Sequence, residues 1–174
     1  MDAIAPAPDR QQVWDWLREV PDPEIPAISI IDLGIVRDVS LSQSDGHAVC
    51  TVVITPTYSG CPAMKVIAQQ IDAVLSAHGV ARTDIRTRLS PAWTTDWMSD
   101  LGKRRLQSQG IAPPAQKAID LSGIARRRQR AAVVLCPHCG SADTACISEF
   151  GSTSCKSLYR CKDCLEPFDY FKAH

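Results

Sequence analysis

The chain has 174 residues, 45% hydrophobic and 22% charged, with nineteen basic residues matched by nineteen acidic ones. That length suffices for one ordinary domain with its own core plus a small appendage, and the composition excludes a disordered chain. A net charge of zero argues against a nucleic-acid partner, no apolar run reaches the roughly 18–20 residues of a membrane span, and Met1-Asp2-Ala3-Ile4-Ala5-Pro6 lacks the basic start and apolar run of a secretory leader.

In chain order, Asp9 can cap a helix over residues 9–20, with Val13, Trp16, Leu17 and Val20 at helical spacing and Pro21 as its stop. Asp22-Pro23-Glu24-Ile25-Pro26 places two prolines in a short stretch and predicts an extended or turning loop. Residues 35–41 and 47–54 read as strands around turn chemistry at 42–46, predicting a hairpin. The loop Thr55-Pro56-Thr57-Tyr58-Ser59-Gly60-Cys61-Pro62 leads into a helix that carries Val66, Ile67, Gln70, Ile71, Val74 and Leu75 and ends at Gly79. Pro62 suits its first position. A third strand is predicted over residues 83–89, with Ile85, Thr87 and Leu89 on one face. Thr94 or Thr95 would cap a last helix running to about residue 109. The order α-β-β-α-β-α predicts a small α+β layer in which helices cover a three-stranded mixed sheet, with a right-handed crossover from the second strand to the third.

Beyond residue 110 the pattern dissolves. Pro113-Pro114, Ser122-Gly123 and the run Arg126-Arg127-Arg128-Gln129-Arg130 mark a linker, and the arginine run reads as solvated. The expected organisation is a first domain over residues 1–111, a linker over 112–131 and a metal module over 132–174. Charge divides unevenly, with ten basic against thirteen acidic residues before residue 112 and nine against six after it. The difference is small enough to suggest complementary docking at most.

In the tail, Cys136-Pro137-His138-Cys139-Gly140 and Cys161-Lys162-Asp163-Cys164 form two matched pairs separated by twenty-one residues. Each Cys-x-x-Cys turn presents two thiolates, and two facing turns complete a tetrahedral cage for a structural zinc ion. So small a module, poor in large aliphatics, needs that metal to fold. Short strands over residues 131–135, 145–150, 156–160 and 168–171 complete a zinc-ribbon layout. His138 is expected to point to solvent. Cys146 and Cys155 leave two alternatives open: either could replace a ligand, or the cage could hold iron or an iron–sulfur cluster. Thiols and metal, with half the cysteines in Cys-x-x-Cys pairs, indicate a reducing cytoplasm.

Cys61 is the thiol placed for chemistry. At a helix start, unpaired N–H groups and the helix dipole favour its thiolate, which leads one to expect a lowered pKa. The alternative is a half-buried thiol that packs as a small hydrophobe. Cys50, inside a strand, is expected in the core. Asp22 and Glu24 offer two carboxylates on a stiff loop, for metal or for turn formation.

These segments also carry a resemblance. Asp22-Pro23-Glu24-Ile25-Pro26, Ser29-Ile30-Ile31-Asp32-Leu33-Gly34-Ile35-Val36, the loop from Thr55 to Pro62, and Pro91-Ala92-Trp93-Thr94-Thr95-Asp96-Trp97-Met98 together resemble the iron–sulfur assembly factor family that includes SufT and the eukaryotic cytosolic targeting factors. With the tail motifs Phe150-Gly151-Ser152-Thr153 and Glu166-Pro167-Phe168-Asp169-Tyr170-Phe171-Lys172, the whole chain is similar to the PaaD family, accessory subunits of bacterial phenylacetyl-CoA epoxidase systems. The resemblance implies a non-catalytic role in phenylacetate breakdown, maturing or repairing a metal centre of a di-iron monooxygenase. It maps the family's reactive cysteine onto Cys61 and its acidic loop onto Asp22 and Glu24, with iron or an iron–sulfur cluster held transiently. Implied partners are the epoxidase subunits or its iron–sulfur flavin reductase, with homodimer formation left open. A stoichiometric scaffold of the oxygenase is the alternative. A thiol enzyme would need a base such as His47 or His78 brought to Cys61 by the fold.

Overall fold

A computed structural model describes residues 8–44, 47–114 and 133–173. The arginine run, most of the expected linker and the turn residues Asp45 and Gly46 lie outside these. The contacts divide the chain into two compact units, Met1–Gly102 and Lys103–His174.

In the first unit, α1 spans Arg10–Leu17 and is closed by a capping box: Gln12 N–H donates to the Asp9 side chain at 2.8 Å, and Asp9 N–H donates to Gln12 Oε1 at 2.9 Å. Val13 and Leu17 bury its inner face. Strands β1 (Val36–Ser44) and β2 (His47–Ile54) pair antiparallel, and β3 (Arg82–Thr87) pairs parallel to β2, in the order β1-β2-β3. This is the three-stranded mixed sheet expected from the sequence. Helix α2 (Ala63–Ala77) buries Ala63, Ile67, Ile71 and Leu75, one residue per turn, and Gly79 at φ +85° ends it. Cys50 is fully buried, as expected of a core strand residue.

The segment from residue 20 to 35 is not loose. Pro21 bridges Ser29, Asp22 N–H donates to Ile28 O at 2.8 Å, and Ile25, Ile28, Ile30 and Leu33 enter the core. Asp32, 3% exposed, accepts from Ser29 Oγ at 3.0 Å and from Ser99 Oγ at 2.8 Å. Trp93 Nε1 donates to Leu33 O at 2.9 Å, and a Cβ on Gly34 (φ +70°) would stand 2.4 Å from Trp97 O. Much of the shared sequence pattern around residues 29–36 and 91–98 is therefore architecture: it fastens two loops together.

Two expectations change here. Thr94 caps only a 3-10 turn, Thr95–Trp97. Helix α3 (Asp100–Ser108) starts afresh, its Gly102 N–H donating to Ser99 Oγ at 2.9 Å. The Ser99–Asp32 bonds divert the chain between them. The third strand ends at Thr87, before the expected residue 89, and Leu89 is 57% exposed, so no apolar face continues there.

In the second unit, β4 (Ile111–Ala112), β5 (Thr144–Ser148), β6 (Lys156–Cys161) and β7 (Pro167–Phe171) form a sheet in the order β4-β7-β6-β5. The expected domain boundary at 111 and linker start at 112 fall within β4, which pairs parallel with β7 through Ile111 and Ala112. So short a strand, set between Gly110 and Pro113, shows no alternation for a sequence pattern to reveal. The division between units lies earlier, at Gly102 and Lys103. Residues 133–135 form no strand, unlike the expected one over 131–135, whose first two residues are outside those described. Ala112, Val134, Phe168 and Tyr170 pack with Cys136 and Cys161 into a small, largely aromatic core.

Candidate metal centre and thiol site

Each half of the zinc cage is a tight turn. In the first, Gly140 N–H donates to Cys136 O at 2.9 Å, and Gly140 takes φ +77°. The second puts Leu165 at the same place with φ +66°, and Cys161 N–H donates to Glu166 O at 3.0 Å. The four sulfurs of Cys136, Cys139, Cys161 and Cys164 lie within 4.8 Å of one another. Cys136 Sγ and Cys164 Sγ are 3.7 Å apart, Cys139 Sγ and Cys161 Sγ 3.6 Å.

A regular tetrahedron with Zn–S bonds of about 2.3 Å has sulfur–sulfur edges of about 3.8 Å, so the cluster fits zinc. The backbone N–H groups of Cys164 and Asp163 draw the Cys161 thiol down to about 7, whereas Cys164, against the pull of the Glu166 N–H, is pushed up to about 12 by burial and the neighbouring sulfurs. Four thiolates close the coordination sphere, which makes the site structural.

The two spare thiols stand apart from the cage. Cys146 is exposed beside Glu149 Oε1 at 3.8 Å, and Cys155 Sγ lies 3.1 Å from Thr153 Oγ1. His138 is exposed, and the clustered donors are the four cysteines.

In the first unit, Cys61 is half-buried, one residue ahead of the α2 cap. The cap is Pro62, which the sequence placed as the first helical residue, so Cys61 stands next to the cap. Cys61 N–H donates to Tyr58 O at 3.1 Å, closing the turn that brings the tyrosine back to the thiol. The expected lowering of its pKa is not found. Burial pushes the Cys61 thiol up, and the Asp22 carboxylate adds to the rise. The Ala63 and Met64 N–H groups and the Tyr58 side chain pull the other way without prevailing. The helix start does supply donors, but water has been withdrawn from the sulfur at the same time.

The Asp22 carboxylate thus acts electrostatically on Cys61 although thirty-nine positions separate them in sequence. Asp22 is 8% exposed, and its Oδ1 accepts from Glu24 N–H and Ile25 N–H, each at 2.9 Å. Glu24 sits exposed on the same turn. Tyr58 was not singled out from the sequence, although it stands at the start of the turn that ends in Cys61. Thr55 was also missed. Its hydroxyl is buried without a hydrogen-bond partner at the head of the same loop. Nothing in a Thr-Pro-Thr sequence distinguishes an orphaned hydroxyl from a solvated one.

Of the two histidines considered as bases, His78 stacks on Trp16 at 4.5 Å and meets Glu19 Oε1 at 3.1 Å. The His47 side chain is outside those described.

Comparison with known proteins matches residues 10–84 to the family described as iron–sulfur cluster assembly protein and residues 122–172 to the PaaD zinc β-ribbon domain. The chain is 44% identical over 169 residues to a putative 1,2-phenylacetyl-CoA epoxidase subunit of Escherichia coli strain K12, covering 97% of this chain and 95% of that one. It is 39% identical over 83 residues to the Fe–S protein maturation auxiliary factor SufT of Staphylococcus aureus strain USA300, covering 47% of this chain and 90% of that one. A crystal structure of a DUF59 domain from Bacillus anthracis is 30% identical, with 55% of this chain and 89% of that one covered and a TM-score of 0.49. With matches to both domain families and near full-length identity to the epoxidase subunit, this chain belongs to the PaaD family.

Proposed function

We propose that this chain is a non-catalytic accessory factor that matures or repairs an iron–sulfur or di-iron centre of a phenylacetyl-CoA epoxidase system. The Cys61 sulfur is the atom that takes iron or a cluster in passing, Asp22 assists it, and Glu24, exposed on the Asp22 turn, is the further carboxylate of the acidic loop. The relatives named for iron–sulfur maturation and for the epoxidase support the coarse reading. The observation that carries the finer one is a buried carboxylate acting on a half-buried thiol.

Without a cation, the Asp22 carboxylate opposes ionisation of the Cys61 thiol. A divalent metal reverses the balance, because the thiol releases its proton to solvent and both anions then face a cation. The N–H groups of Ala63 and Met64 are already in place for that thiolate. Cys61 and Asp22 supply two donors, fewer than the three or four of a resident transition-metal site. Cargo held so sparsely can leave for a better-equipped acceptor, which is what delivery requires.

The clients on this reading are the epoxidase subunits or their iron–sulfur flavin reductase. The zinc ribbon serves as docking platform, the compartment is the cytoplasm, and nucleic acid and membrane play no part. Among the described residues no helix is long and apolar enough to cross a membrane.

The test is anaerobic loading with ferrous iron and sulfide, followed by metal and sulfide analysis of wild type beside Cys61→Ser and Asp22→Asn. Loss of iron in Cys61→Ser with zinc retained is the expected result. Equal iron in both proteins, or unchanged cluster content of a reductase co-expressed with Cys61→Ser, refutes the carrier role. A second reading, a stoichiometric scaffold, draws on the relative's designation as a subunit. Persistence of the chain in the purified active oxygenase would favour it, whereas a maturation factor departs.

A further inference from the structure

The two edges of the first unit's sheet are treated differently. On β1 the edge is closed: the register is bulged between Val36 and Asp38, and Arg10 donates from Nε to Val39 O at 2.8 Å and from Nη2 to Asp38 at 2.7 Å. Bulges and covering side chains are the ordinary ways to stop a sheet from growing. On β3 neither device is present among the described residues: its register with β2 is unbroken from Arg82 to Thr87, and it contains no proline.

The direction of its free hydrogen-bonding groups follows from one bond. Arg88 N–H donates to Ile54 O at 2.8 Å, so by alternation the main-chain groups of Arg86, Asp84 and Arg82 also point to β2. Those of Thr83, Ile85 and Thr87 therefore point outward, and among the described residues nothing bonds to them there.

We propose that β3 is a self-association edge, on which two copies of this chain pair their β3 strands antiparallel about a twofold axis at Ile85. Among residues 83–87 the charges favour that register, and its like pair, Arg82 against Arg88 of the other copy, falls at the ends of the contact. Centred on Asp84, an antiparallel pair sets Asp84 against Asp84 and Arg82 against Arg86, like facing like. Centred on Ile85, it sets Asp84 of each copy opposite Arg86 of the other. Thr83 then faces Thr87, and Ile85 faces Ile85.

In this second register the outward residues oppose one another and exchange main-chain bonds. Asp84 and Arg86 already pair within one chain at 2.7 Å. In the dimer they become a closed ring of alternating charge. A twofold contact of this kind is self-limiting, since each copy spends its β3 edge in making it. Charges on an edge strand ordinarily repel a second strand. Here Asp84, set between two arginines, makes the same edge complementary to itself. The pairing is independent of the metallocentre role, and loss of either would leave the other standing.

Sedimentation equilibrium of the full chain across the micromolar range tests it. A reversible monomer–dimer equilibrium is expected for wild type. Asp84→Arg and Arg86→Asp should each weaken it by about tenfold or more, because like charges then face across the edge. An equimolar mixture of those two variants should recover the dimer as a heterodimer, since the arginines of one then face the aspartates of the other. Ile85→Pro removes an outward N–H without touching the bonds to β2, and should also leave monomer while circular dichroism stays native. A wild type that remains monomeric at the highest concentration overturns the proposal. So does a dimer indifferent to all three substitutions, or a mixture of the charge variants that fails to associate.

Discussion

At Cys61 the balance between helix-start donors and burial decides the chemistry, and burial prevails. The alkylation rate of this thiol by iodoacetamide should therefore stay low at neutral pH and rise with a midpoint above the ordinary thiol value of 9.0. Asp22→Asn removes a negative charge that opposes the thiolate, and it keeps an oxygen to accept from Glu24 and Ile25. That midpoint should move down; an unmoved midpoint would mean the carboxylate does not act on the sulfur. By linkage, a thiol held above its unfolded value stabilises the fold below that value, and the contribution is lost as pH rises through the folded one. Leu165 makes a contrasting case. It holds φ +66° with its side chain 60% exposed, where the matching turn has glycine. Leu165→Gly should stabilise the ribbon by about 1 kcal/mol in chemical denaturation, since an L side chain in the left-handed region costs about that much. A loss of stability would show that the leucine packs on something it needs.

Among the elements, the junction between residues 29–36 and 91–99 matters most to the first unit, because it holds the core loop shut. Its weak point is Gly34, which needs a positive φ and touches the Trp97 backbone. Gly34→Ala should cost on the order of 3 kcal/mol, read as a fall in the urea midpoint. A cost below about 1 kcal/mol would show that the loop can yield. At α1 the capping box has a more ordinary value: Asp9→Ala should cost about 1 kcal/mol. The Asp9 cap was legible in the sequence because its pattern is local. The start of α3 at Ser99 was not, since it is imposed by Asp32 from sixty-seven residues away.

At the scale of the whole molecule, the two units depend on different forces. The first has an apolar core of its own, with Val13, Ile30, Ile67 and Leu75 fully buried. In the second, two of the core positions are zinc-ligand cysteines. A strong chelator under reducing conditions should therefore unfold the ribbon and leave the first unit's cooperative transition in place. Cys136→Ser should lose zinc likewise, whereas Cys146→Ser and Cys155→Ser should keep it. If zinc content falls in either of the latter two, the ligand set assigned here is wrong.

Read by itself, the sequence determined what is local or strictly periodic. It placed α1 and α2 by their spacing, the hairpin by its β-branched runs, and the zinc ligands by the double Cys-x-x-Cys, because such signals are written within a few neighbouring residues. Only the tertiary structure decided what depends on long-range approach: that the Asp22 charge acts on Cys61, that Ile111 and Ala112 join the ribbon sheet, and that the Cys61 thiol is raised instead of lowered. A pKa reports how much water the fold removes from a sulfur and which charges it brings near. Neither quantity exists until the chain has closed around that atom.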